Sequence, residues 1–350
     1  MPSPDTTRRG LLKGLLAGAS AVWLAPALAG AEPALRDSRP LMGTRVDLSL
    51  DGAPRARLEM ARDAAWAEMA RLAAMMSRYE AGNSLQRLIG AAGREPVQIP
   101  REMFDILRTG RQLSILTGGA FDMSIGVFGW RFDTPKELVL PKDSQIKNQL
   151  KLVNYRELIL NDCECSAWLR RTGMKLDLGG VAKLPILAAG MAVIERHGVP
   201  AAMLNGGGDV LVRSDGPRAR PWRIGIRDAA APERLLAVLP LRHGVVASSG
   251  DYERGFTLGG RRYHHVLNPA TGYPTEQVHG VTLVADSVDD VNGLGTAAMV
   301  LGPERGAALL AASAARQAML VRADGSLWAS PGLAARLEPP PGSLRIRGLG

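Results

Sequence analysis

Hydrophobic and polar positions follow two rhythms in the first part of this chain. Over residues 44–50, Val46, Leu48 and Leu50 alternate with Arg45, Asp47 and Ser49, the period of a half-buried strand. Over residues 54–76 the period lengthens, and Leu58, Ala61, Ala65, Met69, Leu72 and Met76 form one stripe of a long amphipathic helix. Residues 102–117 read as a second helix, stopped by Gly118-Gly119. Residues 133–151 are polar, carry two prolines and read as a surface excursion.

The second half changes character. Short strands are predicted at 175–178, 201–204, 210–212, 222–226, 236–241 and 281–285, flanked by helical patterns at 181–196 and 291–312. Strands and helices without strict βαβ alternation predict an α+β class, with mixed or antiparallel sheets flanked by helices.

The two ends read differently. Paired Arg8-Arg9 precede an apolar run from Leu15 to Leu28, and Ala27-Leu28-Ala29 supplies a small-residue cleavage site, so residues 1–29 are expected to be a cleaved twin-arginine signal peptide. A retained anchor is the competing reading, but Gly18 and Pro26 interrupt the run and it falls short of the ~20 residues a bilayer requires. Export through the twin-arginine translocase to the periplasm is the expectation. Residues 30–338 then form the folded domain, and 339–350, opening with Pro339-Pro340-Pro341, a loose tail.

Charge and cysteine narrow the chemistry. The chain has 43 Lys and Arg against 34 Asp and Glu, a net charge of +9. The leader carries Arg8, Arg9 and Lys13 against Asp5, so its loss leaves +7. These charges are interspersed and aromatic residues make up only 5%, which argues for a solvated basic surface, not nucleic-acid binding, and leaves anionic small ligands open. Cys163 and Cys165, one residue apart, are too close for an unstrained disulfide and too few for a zinc site, and read as ordinary thiols.

Three constellations carry candidate chemistry. In Leu176-Asp177-Leu178-Gly179-Gly180-Val181-Ala182-Lys183 a strand delivers an acid, two glycines turn the chain and a helix opens beside a lysine, an arrangement that can meet a phosphate. Asn205-Gly206-Gly207-Gly208-Asp209 is either a glycine-lined ligand contact or a flexible connection between strands. The third runs from Ser248-Ser249-Gly250-Asp251 to Tyr263-His264-His265-Val266-Leu267-Asn268-Pro269. Adjacent histidines in an extended segment point to opposite faces, so one at most is a base candidate.

In this order, and with Met42-Gly43-Thr44, Ser77-Arg78-Tyr79, Gly119-Ala120-Phe121-Asp122-Met123-Ser124 and Asn292-Gly293-Leu294-Gly295-Thr296, the motifs resemble the ApbE-like FAD:protein FMN transferase family from Met42 to about Leu310. The resemblance implies transfer of FMN from FAD to a threonine or serine hydroxyl of an acceptor flavoprotein, with release of AMP. It implies an FAD site lined by Met42, Tyr79, Ala120, Phe121, Asp122, Asp177, Lys183 and Leu267, with His265 as general base at an ordinary imidazole pKa near ~6.5. It further implies a Mg2+ held by Gly180, Asn292 and Thr296. Asn292 stands where the family usually carries an acid, Leu184-Pro185 and Ala188 depart from the pattern after Lys183, and Asn268 replaces an aspartate. These departures support an alternative reading, an FAD-binding or chaperone-like protein that does not transfer FMN.

Overall fold

The computed structural model describes residues 35–130, 140–217, 219–314 and 317–340. The expected leader therefore lies outside the described residues, as does the tail beyond Pro340. Along the chain run β1 (Leu35–Leu41), β2 (Thr44–Asp51), α1 (Arg55–Met75), α2 (Ser84–Gly90), β3 (Val97–Gln98), α3 (Arg101–Leu116), α4 (Asp143–Leu150), β4 (Leu158–Asn161), β5 (Ser166–Leu169), α5 (Lys183–Arg196), β6 (Ala201–Gly206) and β7 (Asp209–Ser214). They are followed by β8 (Trp222–Arg227), β9 (Leu235–Leu241), β10 (Gly244–Gly250), β11 (Gly255–Leu258), β12 (Arg261–His264), β13 (Val278–Ala285), α6 (Leu294–Leu301), α7 (Pro303–Ala312), β14 (Gln317–Arg322), β15 (Leu327–Ala329) and α8 (Pro331–Ala334).

Eight strands form one antiparallel sheet in the order β1-β2-β6-β7-β10-β13-β14-β15. The inner strands are buried on both faces. Ala202 and Leu204 of β6, Leu211 of β7, Val245 and Ala247 of β10 and Leu320 of β14 join the core beneath the helices. Their neighbours Met203, Val210, Val212, Val246 and Met319 meet the β8–β9 hairpin through Ile224, Ile226 and Leu239. Hence β7 reads as a continuous apolar run, while β2 alternates cleanly. A smaller sheet, β3-β5-β4, packs with α2 and α3 into the same core.

The long helix follows its stripe: Leu58, Ala61, Ala65, Met69, Leu72 and Met76 are all buried. Helix α1 crosses α5 closely, because a Cβ at Gly190 would lie 2.7 Å from Met69 Sδ. Small residues at the crossing let two backbones approach, and their pairing covers the sheet.

Three elements differ from the sequence reading. Residues 175–178 join no ladder; Asp177 N–H instead donates to the carbonyl of Met123 at 2.8 Å, so the segment is braced by a short 3-10 turn, Met123–Val127. The apolar pattern over 291–312 is two helices, because Gly293 and Gly302 adopt φ of 76° and 82° and interrupt it. The polar stretch 133–151 contains α4, which buries Ile146 against Val127, Phe128 and Leu267; residues 131–139 are outside the description. Cys163 and Cys165 are free thiols. Among the described residues no helix is long and apolar enough to cross a membrane.

Met69 is fully buried at the α1–α5 crossing. Met69→Ala is expected to lower unfolding free energy by about 2–5 kcal/mol. Urea unfolding followed by circular dichroism measures this, and a loss below about 0.5 kcal/mol would contradict the packing.

Candidate active site

Two tight turns and two helix starts meet at one end of the main sheet. The glycine run between β6 and β7 is a tight, hydrogen-bonded hairpin turn: Gly206 pairs with Asp209, Gly207 and Gly208 take φ of 63° and 95°, and Asn205 Oδ1 accepts the Gly208 N–H at 3.0 Å. The β1–β2 turn has the same form, with Met42 and Gly43 at φ of 54° and 68°. Met42 adopts a conformation side chains rarely take, a local strain found where a site needs a particular backbone course. The two turns touch, since a Cβ on Gly207 would lie 2.6 Å from Thr44 Oγ1.

Helix α5 begins at Lys183, whose Nζ lies 3.1 Å from Asp209 Oδ2. A lysine at a helix N-terminus opposes the helix dipole, but lysine and dipole both favour a bound anion. Pro185 falls in the first turn, where its missing N–H costs the helix little, so that departure is compatible with the local fold. Just before α5, Asp177 Oδ1 accepts the Gly179 N–H at 2.8 Å and Oδ2 pairs with the Arg78 guanidinium. The neighbouring Tyr79 ring is 77% exposed, with Arg78 over its face at 5.5 Å. Its open face can stack on a planar ligand.

Asp122 has a different environment. It is buried, its Oδ1 accepting from Ser124 N–H and Oγ–H at 2.8 and 2.6 Å and its Oδ2 from Tyr155 N–H at 2.8 Å. Burial pushes its carboxyl above the ordinary value, against these hydrogen bonds. The carboxylate caps the 3-10 turn Met123–Val127, while Ala120 and Phe121 before it donate their N–H groups to the Thr117 carbonyl and hydroxyl at 3.2 and 3.1 Å; the Phe121 ring faces Gly180, where a Cβ would approach it to 2.9 Å. Leu267 is buried against Val127, Phe128 and Ile146, beneath the loop that follows the histidines.

The histidines divide as an extended segment requires. His264 is buried; its Nε2 lies 2.7 Å from the Thr275 carbonyl and its Nδ1 accepts from Val266 N–H at 3.4 Å. Both nitrogens are satisfied, and burial lowers its pKa. His265 lies partly open, with Nδ1 3.4 Å from the Arg254 carbonyl, which also accepts the His265 backbone N–H at 3.2 Å. A carbonyl partner requires the proton on Nδ1, leaving the Nε2 lone pair to act as base. The ordinary pKa expected for this ring is not met: burial first, then the charges of Arg254, Lys183 and His264, push it down to about 3.

The residues expected to hold a metal also converge. A Cβ on Gly180 would lie 3.9 Å from Thr296 Oγ1, and one on Gly293 3.5 Å from the Gly180 carbonyl oxygen. Asn292 is not on the helix with Thr296, as a continuous helix over 291–312 would require; Gly293 is left-handed and α6 starts at Leu294. Asn292 is buried, and its Nδ2 donates to the Val181 carbonyl at 2.9 Å, which leaves Oδ1 as its side-chain acceptor. Asp289 and Asp290 lie in the preceding 3-10 turn. Among the described residues no group of three or more His, Cys, Asp or Glu forms a metal cage. The Gly180, Asn292 and Thr296 donors are all neutral oxygens, the ligand type of a hard cation whose charge is balanced by substrate phosphates.

Sequence reasoning left Arg78, Arg254 and Asp209 without roles. Arg254 was accessible through symmetry: counting equally outward from Gly259-Gly260 in the β11–β12 hairpin reaches Arg254 and His265 together.

The chain and its fold have known counterparts. A model of the ApbE family matches residues 42–320. The FAD:protein FMN transferase of Klebsiella pneumoniae (strain 342) is 32% identical over 247 residues, covering 67% of this chain and 76% of that protein. The Rhodobacter capsulatus protein of the same name is 30% identical over 341 residues, covering 95% of this chain and 63% of its own. The crystal structure of the ApbE protein of Thermotoga maritima superposes with a TM-score of 0.79 at 25% identity, covering 86% of this chain and 98% of that one. The apo flavinyl transferase ApbE of Pseudomonas stutzeri, at 22% identity and a TM-score of 0.74, covers 87% and 97% and shares the fold. The chain belongs to the ApbE family.

Replacing Asn292 by Asp would set a carboxylate against the Val181 carbonyl. Asn292→Asp is expected to lose about 1–3 kcal/mol in EDTA and recover much of it in millimolar Mg2+. Equal stability in both media would contradict a cation-ready position. For His265, the unfolded ring takes up a proton below about pH 6.5, while the folded ring stays neutral until about pH 3. Its contribution to stability therefore falls with pH across that window. His265→Gln is expected to lose less stability than wild type between pH 7 and 4.5 in urea titrations; parallel losses would refute a neutral folded imidazole.

Proposed function

We propose that this chain transfers FMN from FAD to a hydroxyl of an acceptor protein and releases AMP. The observation that carries the reading is the position of Lys183 at the start of α5, ion-paired to Asp209 at 3.1 Å and near enough to the partly open His265 for its charge to act on that imidazole. The names of the related proteins support it.

In the reaction the acceptor oxygen attacks the FMN phosphorus of the pyrophosphate, the bond to the AMP phosphate breaks, and the hydroxyl proton passes to His265 Nε2. Such transfers depend chiefly on positioning and on neutralising charge. Lys183 and the start of α5 meet the phosphates, and Tyr79 offers its exposed ring to a flat ligand ring. The Arg254 carbonyl holds the histidine in the tautomer that presents Nε2. Arg254 and Lys183, whose charges depress His265, face a site for an anion. Phosphates arriving there offset that field and raise the basicity of the ring. Gly180, Asn292 and Thr296 would hold a Mg2+, which would neutralise phosphate charge when bound.

The acceptor is a flavoprotein, and Arg8-Arg9 with the apolar run behind them support export by the twin-arginine translocase, which makes the periplasm the site of action.

Incubation with FAD, Mg2+ and a candidate acceptor is expected to yield a covalent flavin adduct and stoichiometric AMP by mass spectrometry. His265→Ala should reduce the rate at least a hundredfold. FAD binding without AMP under any metal condition would favour the binding-only reading. Arg8→Lys with Arg9→Lys is expected to leave the protein unexported, and undiminished periplasmic protein would rule out the twin-arginine route.

A further inference from the structure

The acid that ends the glycine motif lies behind the site's lysine, not among the residues expected to touch the ligand. Asp209 is 7% exposed and is the first residue of β7. The β7–β10 ladder stops at the pair Val210 and Val246. Beyond it, Asp209 Oδ1 accepts the Ser248 N–H at 3.0 Å, so one carboxylate oxygen continues the contact between the two strands. The other, Oδ2, lies 3.1 Å from Lys183 Nζ. Lysine has a long stem and a strongly hydrated head, and without a fixed partner its charge would sweep a wide volume. The hairpin turn through Gly207 and Gly208 fixes the backbone from which Asp209 projects.

We propose that Asp209 is the positioning residue of the site: its buried carboxylate, anchored on Ser248, holds the Lys183 ammonium in register with the strand ends so that the cation meets the phosphoryl group undergoing transfer. The inference rests on the flavin-transfer reading above. It makes a prediction that general damage to the site would not. Removing a negative charge beside an anion site favours ligand binding, whereas releasing the lysine slows the chemistry.

The test compares Asp209→Asn, Lys183→Met and the double variant in the full chain, measuring FAD affinity by flavin fluorescence, transfer rate and thermal midpoint. Asparagine retains an oxygen for Ser248, so Asp209→Asn should keep its midpoint. It should bind FAD as tightly as wild type or up to tenfold tighter, and transfer at least tenfold more slowly. In the Lys183→Met background the same change should leave the transfer rate within twofold, because the lysine it positions is already gone. An unchanged rate, a parallel loss of affinity and midpoint, or a full effect of Asp209→Asn without Lys183 would each overturn the proposal. If wild type itself binds no FAD, the flavin-transfer reading fails instead.

Should Asp209→Asn not fold, Asp209→Glu carries the test. It keeps the charge but displaces it by one methylene, so FAD affinity should hold while transfer slows at least tenfold. An unchanged rate would overturn the proposal.

Discussion

Burial of the central strands on both faces constrains everything else in this molecule. Five strands lie between helices on one side and the β8–β9 hairpin on the other, and a backbone so enclosed must satisfy its polar groups within the ladder. Polar chemistry is thereby confined to the strand ends, where ladders stop and turns begin. At the end shared by β6, β7 and β10, the sheet meets the N-terminus of α5, and Gly206 is kept bare because a Cβ there would come within 2.9 Å of Leu187. The same packing that stabilises the core thus presses glycine turns and a helix start into one place.

The electrostatics of the site follow from that crowding. Positive groups, Lys183 and Arg254, act on one imidazole, and partial burial removes the water that would shield it from them. The ring is neutral as a result. Asp177 and Asp209 are each paired with a cation, Arg78 and Lys183, and each also accepts a backbone N–H. A phosphate entering a site arranged in this way would meet localised cations and an unprotonated imidazole.

Asn292 shows how the same position can serve two purposes. As an amide it closes a hydrogen bond to the Val181 carbonyl, joining the turn before α5 to the turn before α6. An acid cannot make that bond while ionised, so this chain's residue joins the two turns without help from a cation. The amide retains an oxygen, so structural tie and weak metal ligand are compatible roles.

Much of this was legible in the order of residues. The β2 alternation, the stripe from Leu58 to Met76, the division of labour between His264 and His265, and the family resemblance from Met42 onward all depend on local period or local motif, which a sequence states directly. The helix over 291–312 was not legible as two, because its apolar pattern continues through Gly302 while the backbone does not. Nor was the course of residues 175–178, which looks like a strand but joins no ladder, bonding instead to Met123 and to the turn that follows Leu178. The low pKa of His265 and the pairing of Lys183 with Asp209 lay further out of reach. Both depend on charges brought together from residues far apart in the chain, and only the folded sheet and the helices packed on it set those distances. The sequence by itself determined periodicity, turn chemistry and the residue types available; the tertiary structure decided which charges face one another and how much water lies between them, because Coulomb interactions and desolvation depend on separation in space, not along the chain.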